Sequence, residues 1–267
     1  MSRSLNLNRG RLRPLIPIEN IMRVNLYRSL LLILLSFSLN ATEKPNVLLI
    51  MVDDMNTMLS NYGDTQVKTP NLEKLKANGV QFNRAYVQYP QCTASRASML
   101  TGLYPAQNGV TQLRQHFRNY VPWVKTLPQV FKENGYYTAR VGKIFHYDVP
   151  REMGTDGMDD PVSWIDKYNP VGIDRTDHKK TKWLGPRKPK DTWGGGAISW
   201  IRAGGSSQEH TDGIATQQAI KILDSKHPKK TGDPFFLAVG YFRPHVPFGA
   251  PEKFFDLYPV EKIKFIK

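Results

Sequence analysis

Residues 88–103 read QYPQCTASRASMLTGL and contain the single cysteine of the chain, Cys92. Pro90 disfavours helix directly before this cysteine, whereas the residues after it are good helix formers up to Gly102. The pattern predicts a helix with Cys92 at or near its N-terminus. Unpaired N–H groups and the helix dipole favour an anion there. With Arg96 one turn further on, the stretch suits a nucleophile that acts on a negatively charged ester.

The spacing Cys-Thr-Ala-Ser-Arg from Cys92 to Arg96, followed by Ala-Ser-Met-Leu-Thr-Gly, resembles the signature of the formylglycine-dependent sulfatases. In that family the pattern is Cys-x-Pro/Ala-x-Arg. The cysteine is oxidised after synthesis to formylglycine, whose hydrated aldehyde is the nucleophile. Ala94 stands where many members have proline. For the motif alone, the alternative is that Cys92 is a small buried apolar residue.

Length and charge restrict the class of protein. A chain of 267 residues can bury a proper core and predicts one large domain or two small ones. Its formal net charge of +14 favours polyanionic partners, either nucleic acid or a sulfated polysaccharide. No helix-turn-helix, zinc-finger or RNA-binding signature accompanies the charge, so we expect a sulfated saccharide and no nucleic acid.

The N-terminal region predicts export. Residues 29–39 form a short apolar run behind Arg23 and Arg28, and small residues follow. This order is typical of a secretory signal peptide, and the run is too short for a comfortable membrane span. We assign residues 22–41 to the signal peptide, and the methionine that opens this segment suggests that residues 1–21 are an over-called start. We expect a periplasmic, extracellular or lysosome-like location, with no stable membrane span after cleavage.

Two adjacent carboxylates follow the first predicted strand. Residues 46–52 are expected to form a fully buried strand that ends at Asp53 and Asp54. Ligands of open α/β sheets bind beyond the carboxyl ends of the strands, and paired carboxylates there suit a hard divalent cation such as calcium or magnesium. The alternative is a turn stabilised by aspartate. Together with the cysteine motif, the pair is interpreted as a metal site.

Helices and strands alternate along the rest of the chain. The predicted order is helix 69–79, strand 80–87, helix 126–135, strand 136–141, helix 211–225 and strand 234–241. This rhythm is typical of an α/β fold with a mostly parallel sheet covered by helices on both faces. Residues 147–210 are the least regular part, a basic loop or insertion that either lines a substrate entrance or forms a solvated surface excursion.

Two of the later strand ends carry further polar side chains. Lys143 and His146 follow the strand 136–141 closely enough for one turn to aim both at one point. The prolines on both sides of His245 are expected to hold it in an extended segment at the carboxyl edge of the sheet. There it could donate to a sulfate oxygen or to a departing alcohol. Taken singly, a solvated lysine and satisfied histidines are the alternatives.

The resemblance to the sulfatases extends over residues 44–261. Gly-Lys-Ile-Phe-His at 142–146 and Phe-Arg-Pro-His-Val-Pro-Phe at 242–248 are similar to segments of the iduronate-2-sulfatase-like members. The resemblance implies an alkaline-phosphatase-like fold. It also implies a sulfuric ester hydrolase that acts on a sulfated sugar or polysaccharide and is matured by a formylglycine-generating or other sulfatase-maturing enzyme.

The resemblance also implies roles for individual residues. One Ca²⁺ would be bound by Asp53, Asp54 and the formylglycine made from Cys92. The residues that would carry catalysis, by forming or holding the nucleophile and the sulfate, are Cys92, Arg96, Lys143, His146 and His245. A diol bound to the cation loses a proton easily and can attack sulfur, and the sulfate leaves when the other hydroxyl re-forms the aldehyde.

One part of the family pattern is not found in these 267 residues. Sulfatases resemble one another in a later segment, an Asp followed by His or Asn and Gly, and in a further lysine. We therefore expect residues 42–267 to be the N-terminal part of a catalytic domain that binds calcium weakly, because calcium takes roughly six to eight oxygens. Two rival classes stay open: an alkaline-phosphatase-superfamily phosphodiesterase or phosphonate hydrolase, and a non-catalytic polysaccharide-binding remnant.

Overall fold

A parallel sheet lies at the centre of the computed structural model, which describes residues 44–184, 198–226 and 231–264. All neighbours in this four-stranded sheet are parallel, and the order is β1 (Val47–Val52), β6 (Phe235–Tyr241), β2 (Tyr137–Gly142) and β3 (Asp166–Tyr168). In a smaller sheet, β5 is antiparallel to β4 and parallel to β7. The strands of this sheet, in order, are β4 (Lys182–Trp183), β5 (Ser199–Ala203) and β7 (Phe248–Pro251).

Seven α-helices accompany the sheets within the described residues. They are α1 (Pro70–Ala77), α2 (Cys92–Thr101), α3 (Pro105–Asn108), α4 (Leu127–Glu133), α5 (Ile173–Thr176), α6 (Thr211–Ser225) and α7 (Glu252–Phe255). None of them is both long and apolar enough to cross a bilayer. The predicted signal peptide at 22–41 and the predicted over-called start at 1–21 lie outside the described residues.

Both faces of strand β6 are buried. Phe236 and Ala238 belong to the hydrophobic cluster that contains α2, whereas Leu237 and Val239 belong to the cluster that contains α6. Successive side chains of a strand point to opposite faces, so helices cover the sheet on both sides. The predicted α/β class, with a mostly parallel sheet between helices, is confirmed.

Local sequence signals fix several helix ends as predicted. Helix α2 begins at Cys92, and Gly102 closes it with φ of 72°, a left-handed conformation that glycine adopts without strain. Thr126 caps α4 by accepting a hydrogen bond from the Gln129 N–H at 3.3 Å. These caps explain why the boundaries could be predicted from single residues.

The strand predicted for residues 80–87 is wrong. The segment is irregular, and three of its large apolar side chains are mostly exposed: Val80 at 81%, Phe82 at 74% and Tyr86 at 80%. A strand needs a neighbour to satisfy its backbone groups. In the described part of the chain no strand pairs with this segment. Its β-favouring side chains are therefore not sufficient to make it a strand.

Strand β1 is only half-buried, which corrects the prediction of a fully buried strand. It lies at one end of the described sheet. Leu49 packs against the α2 side of the core, whereas Leu48 and Ile50 are 44% and 50% exposed. The reason is that α6 packs against β2 and β6 and leaves this face of β1 uncovered.

The irregular region at 147–210 is partly folded into the core. It contributes β3 to the main sheet and β4 and β5 to the small one. Tyr147, Val149 and Met153 form a buried cluster with Phe242. A solvated excursion therefore does not describe residues 147–184 and 198–210, and residues 185–197 lie outside the described part.

Candidate active site

The site begins where β1 ends. Asp53 is buried at 3% exposure, and its backbone N–H donates to Tyr241 O at 3.2 Å, which continues the pairing of β1 with β6. Asp54 has φ of 58°, so the chain turns sharply at this residue; Asp is one of the few side chains that tolerate this region. The Asp54 side chain is 55% exposed. The two carboxylates therefore point into different environments, one enclosed and one open to solvent.

Two cationic side chains hold the Asp53 carboxylate. Arg96 Nη2 donates to Oδ1 at 2.8 Å, and Lys143 Nζ lies 2.5 Å from Oδ2. Arg96 is 5% exposed and Lys143 is fully buried. Buried charges are tolerated only when they are paired. This charge cluster of Asp53, Arg96 and Lys143 joins β1, α2 and the loop after β2.

Arg96 is more engaged than the sequence suggested. Its Nη1 also donates to Lys143 O at 2.6 Å and to Ile144 O at 2.8 Å. A planar guanidinium can bridge several acceptors in this way. The expected role of this side chain in holding the nucleophile and the sulfate stays a prediction; in the structure its guanidinium contacts Asp53 and the backbone that carries Lys143.

Two glycines allow the ends of β2 and β6 to approach closely. Gly142 has φ of 73° and is the parallel partner of Gly240. A Cβ atom on Gly240 would lie 1.9 Å from Lys143 O. Glycine is thus required for Lys143 to enter the buried position beside Asp53.

The pKa values of Asp53 and Lys143 both lie below their ordinary values, but for different reasons. Burial raises the pKa of Asp53, but the Lys143 ammonium and the Arg96 guanidinium outweigh it, so the pKa lies below its ordinary value. Burial lowers the pKa of Lys143, and the attraction of Asp53 offsets only part of that effect. The Asp53 carboxylate is therefore ionised at neutral pH.

Cys92 lies at the N-terminus of α2, as predicted, and is half-buried. Burial raises the pKa of its thiol; Lys143 acts in the opposite direction, while Asp53 and Asp54 add to the increase. The thiol therefore lies within the electrostatic reach of both aspartates and of Lys143. A cysteine nucleophile needs a lowered pKa, so the unmodified thiol is poorly suited to attack.

His245 lies on the same rim of the sheet. Its Nε2 is 3.8 Å from Asp54 Oδ2, and its Nδ1 lies 2.6 Å from Val246 O. Because a carbonyl oxygen only accepts, Nδ1 carries the proton and Nε2 presents a lone pair when the ring is neutral. Burial lowers the pKa of His245, followed by repulsion from Lys143.

The segment around His245 is a turn, which corrects the predicted extended segment. The His245 N–H donates to Phe242 O at 3.1 Å. The prolines thus limit the backbone conformations of a compact turn, and the His245 imidazole is part of that turn.

His146 is buried at 5% exposure, and within the described part of the chain neither ring nitrogen forms a hydrogen bond. Its Nε2 is 3.4 Å from Asp148 Oδ1. Burial, and then the nearby charge of Lys143, lower the pKa of His146 to about 4. The ring is therefore neutral at physiological pH.

One group of side chains has the composition of a metal site. Asp53, Asp54 and His245 each offer an atom within 4.8 Å of the others. The two carboxylates suit a hard cation such as calcium, whereas an imidazole nitrogen does not. The aspartate pair therefore fits the predicted calcium ion, whereas His245 suits a position beside the ion and not a place among its ligands.

A protein-family model described as Sulfatase matches residues 45–264. The chain belongs to the sulfatase family. It is 36% identical over 225 residues to iduronate 2-sulfatase of Mus musculus, covering 84% of this chain and 39% of that protein. It is 34% identical over 233 residues to a sulfatase of Formosa agariphila, covering 83% of this chain and 43% of that protein. The chain thus spans less than half the length of these relatives.

A solved structure supports the fold of this sulfatase-family chain. The phosphonate monoester hydrolase of Agrobacterium radiobacter aligns with a TM-score of 0.58 and 24% identity, covering 81% of this chain and 44% of that chain. This likeness concerns the fold alone. The iduronate-2-sulfatase resemblance predicted from Gly-Lys-Ile-Phe-His and Arg-Pro-His-Val-Pro agrees with the match to the mouse protein.

Sequence reasoning missed three residues behind the candidate site. Asp174, Asp212 and Arg243 form contacts around the turn that carries His245. Two signals were present: an arginine directly before Pro-His-Val-Pro, and an acid in the first turn of α6. Neither signal predicts a contact between distant segments.

Proposed function

We propose that this chain carries the sulfate-ester-hydrolysing site of an iduronate-2-sulfatase-like enzyme that acts on a sulfated sugar or polysaccharide. The observation that carries the proposal is the placement of Cys92 at the start of α2, within electrostatic reach of Asp53, Asp54 and Lys143. An anionic sulfate is favoured at a helix N-terminus near a buried ammonium. Membership of the sulfatase family supports the same reaction class.

Conversion of Cys92 to formylglycine is part of the proposal. The raised pKa of the thiol makes the unmodified side chain a poor nucleophile. A formylglycine supplies a hydrated aldehyde, with one hydroxyl for attack on sulfur and a second through which the aldehyde can re-form. A formylglycine-generating or other maturing enzyme would be the partner for this step. Export through residues 22–41 remains a prediction.

Asp53 and Asp54 would hold a calcium ion beside residue 92. When bound, the ion stabilises negative charge on oxygen. Arg96 keeps Asp53 in place and fixes the carbonyl groups of residues 143 and 144. Lys143 contributes a buried positive charge that attracts the sulfate.

His245 is the proposed carrier of the transferred proton. With Nδ1–H directed at Val246 O, its Nε2 accepts a proton in the neutral state. The nearby Asp54 carboxylate stabilises the resulting imidazolium. Nε2–H can then return the proton to the departing sugar alcohol.

Turnover of an aryl sulfate by Cys92→Ser tests the proposal. A serine hydroxyl can accept the sulfuryl group but has no second hydroxyl to release it. We expect at most one turnover per site for Cys92→Ser, and more than one only for protein in which a co-produced maturing enzyme has converted Cys92. Intact-mass analysis of the Cys92 peptide should show the aldehyde only in the matured protein, with unmatured wild type as control.

Three results would contradict this function. Full multiple turnover by Cys92→Ser would remove the formylglycine step. Faster hydrolysis of an aryl phosphate than of the matching aryl sulfate would favour the phosphodiesterase or phosphonate hydrolase class. Binding of a sulfated polysaccharide with an unmodified thiol and no hydrolysis would favour a non-catalytic protein.

A further inference from the structure

The Arg243 side chain lies under the turn that carries His245. Its Nη1 donates to His245 O at 3.0 Å and also to Pro247 O. Its Nη2 donates to Asp174 Oδ2 at 3.0 Å. One guanidinium therefore binds two carbonyl groups of the turn and is itself anchored on a carboxylate from α5.

Asp212, in the first turn of α6, holds the start of the same turn. Its Oδ1 accepts from the Phe242 N–H at 2.9 Å, and its Oδ2 accepts from the Arg243 N–H at 3.0 Å. Asp174 is connected to α6 as well, because it accepts from Thr211 N at 2.8 Å and from Thr211 Oγ1 at 2.7 Å. Two carboxylates thus hold the turn: Asp212 accepts hydrogen bonds from its backbone N–H groups, and Asp174 binds the Arg243 side chain.

These contacts are shielded from solvent. Asp174 is 3% exposed and the Arg243 side chain is 13% exposed. Interactions of buried charges depend strongly on geometry, and loss of one partner leaves the other uncompensated. A guanidinium can satisfy a carboxylate and two carbonyls together, which an ammonium on a flexible stem cannot do with the same geometry.

The backbone of the turn sets the orientation of the imidazole. His245 Nδ1 is bonded to Val246 O, within the segment that Arg243 fixes at residues 245 and 247. A shift of these carbonyls would rotate the ring and move Nε2 away from Asp54. The contact path therefore runs from Asp174 through Arg243 to the turn and then to the ring.

We propose that Arg243 is a positioning residue for His245, with Asp174 and Asp212 as its anchors. This inference rests on the proposed function, in which His245 Nε2 carries a proton. In this proposal Arg243 does not contact the reacting atoms. It fixes the distance between the His245 imidazole and the Asp54 carboxylate. Contacts that position a catalytic group without touching the substrate can control the rate, because misplacement of such a group by about 1 Å can lower the rate by two orders of magnitude.

A double-mutant cycle between Arg243→Gln and His245→Ala provides the kinetic test. We expect Arg243→Gln to lower kcat about tenfold or more with little change in KM, and to cause no further loss when His245 is already alanine. Additive losses in the double variant would overturn the proposal. Arg243→Lys should recover only part of the rate, because one ammonium cannot reproduce the bridge between Asp174 and both carbonyls.

Arg202→Gln is the matched control. Arg202 also pairs with two carboxylates, at 2.9 Å to Glu252 and 2.5 Å to Asp256, but it is 41% exposed and belongs to β5. We expect its kcat and KM to equal those of the wild type. A decrease in kcat equal to that of Arg243→Gln would show that loss of any such ion pair, and not of the contact to the His245 turn, is responsible.

A measurement independent of activity separates this inference from the proposed function. The chain has six histidines, and the His245 ring signal in NMR spectra can be assigned from its loss in His245→Ala. We expect this signal to shift in Arg243→Gln and to stay unchanged in Arg202→Gln. An unchanged His245 signal in a folded Arg243→Gln protein would overturn the positioning role, whereas an inactive matured wild type would count against the function alone.

Asp212→Asn provides a second variant if Arg243→Gln does not fold. Asparagine keeps the shape but offers one acceptor oxygen, so it can hold only one of the two N–H groups of Phe242 and Arg243. We expect the His245 signal to shift in the same direction and kcat to fall. Wild-type values for both would contradict the anchoring of the turn.

Discussion

Gly240 shows how a single residue without a side chain shapes the site. It lies opposite Gly142 where β2 and β6 end, and its missing Cβ leaves room for Lys143 O. The charged residues of the site depend on this approach, because the Lys143 backbone enters the interior there. The close packing of Lys143 O against Gly240 thus determines where the buried Lys143 ammonium can lie.

Gly240→Ala is expected to destabilise the fold markedly. The new Cβ would be placed 1.9 Å from Lys143 O, so the backbone of one strand end must move. Forced overpacking typically costs about 1–3 kcal/mol. Urea unfolding should show this loss, whereas the control Gly204→Ala, with nothing within 4 Å of its added Cβ, should unfold near the wild-type midpoint. Equal midpoints for the two variants would contradict the close approach.

Strand β1 illustrates how an element can be assigned correctly and yet packed differently from expectation. Its sequence is apolar throughout, which resembles a strand buried on both faces. In the structure only one face meets the core, because α6 covers the neighbouring strands. An apolar run therefore specifies the strand but not how many of its faces are covered.

Two positions on the same face of the sheet should respond differently to substitution, because α6 covers this face at β6 but not at β1. Ile50 is 50% exposed, whereas Leu237 on the neighbouring β6 is fully buried. We expect Ile50→Thr to change the free energy of unfolding by less than about 1 kcal/mol, and Leu237→Ala to lower it by about 2–5 kcal/mol. Urea titrations of the two variants measure the difference. A cost for Ile50→Thr as large as that for Leu237→Ala would mean that this face of β1 is covered.

At the scale of the whole molecule, burial of ionisable groups links stability to pH. His146 is held with a pKa of about 4, below its ordinary value of 6.5. The unfolded chain takes up a proton at this residue below pH 6.5, but the folded protein does not until about pH 4. The stability that His146 contributes is thus complete above pH 6.5 and is lost as the pH falls towards 4.

His146→Gln is expected to make the protein less sensitive to acid. Between pH 7 and pH 4.5, the wild type should lose about 2 kcal/mol more than this variant in the free energy of unfolding. Urea unfolding at both pH values gives the two differences. His178→Gln, which changes a half-buried histidine outside the site, is the control. Identical acid sensitivity of the wild type and His146→Gln would show that this histidine does not titrate as inferred.

Much of the fold follows from local signals. The cap at Thr126 and the glycine at 102 act within their own helices, so the ends of α4 and α2 could be predicted. Asp53, Asp54, Lys143 and His245 follow strands of one parallel sheet, and that topology brings them to one edge. Their shared edge could therefore be predicted before any distance was known.

Other features depend on contacts that local signals do not contain. Residues 80–87 have the composition of a strand, yet pairing requires a partner from elsewhere in the chain. Asp212 and Arg243 are 31 positions apart. The local sequence around either residue does not predict that Asp212 accepts a hydrogen bond from the Arg243 N–H. The involvement of Arg96 with backbone carbonyls was missed for the same reason.

The burial of α2 has a consequence for the timing of maturation. Ala94 is fully buried and Arg96 is 5% exposed, yet both belong to the pentapeptide that a modifying enzyme would have to read. Once the helix has docked on the sheet, these two side chains are hidden and Cys92 is half-buried. The proposed oxidation of the Cys92 thiol would therefore have to precede folding, and a molecule that folded first would keep its sulfur.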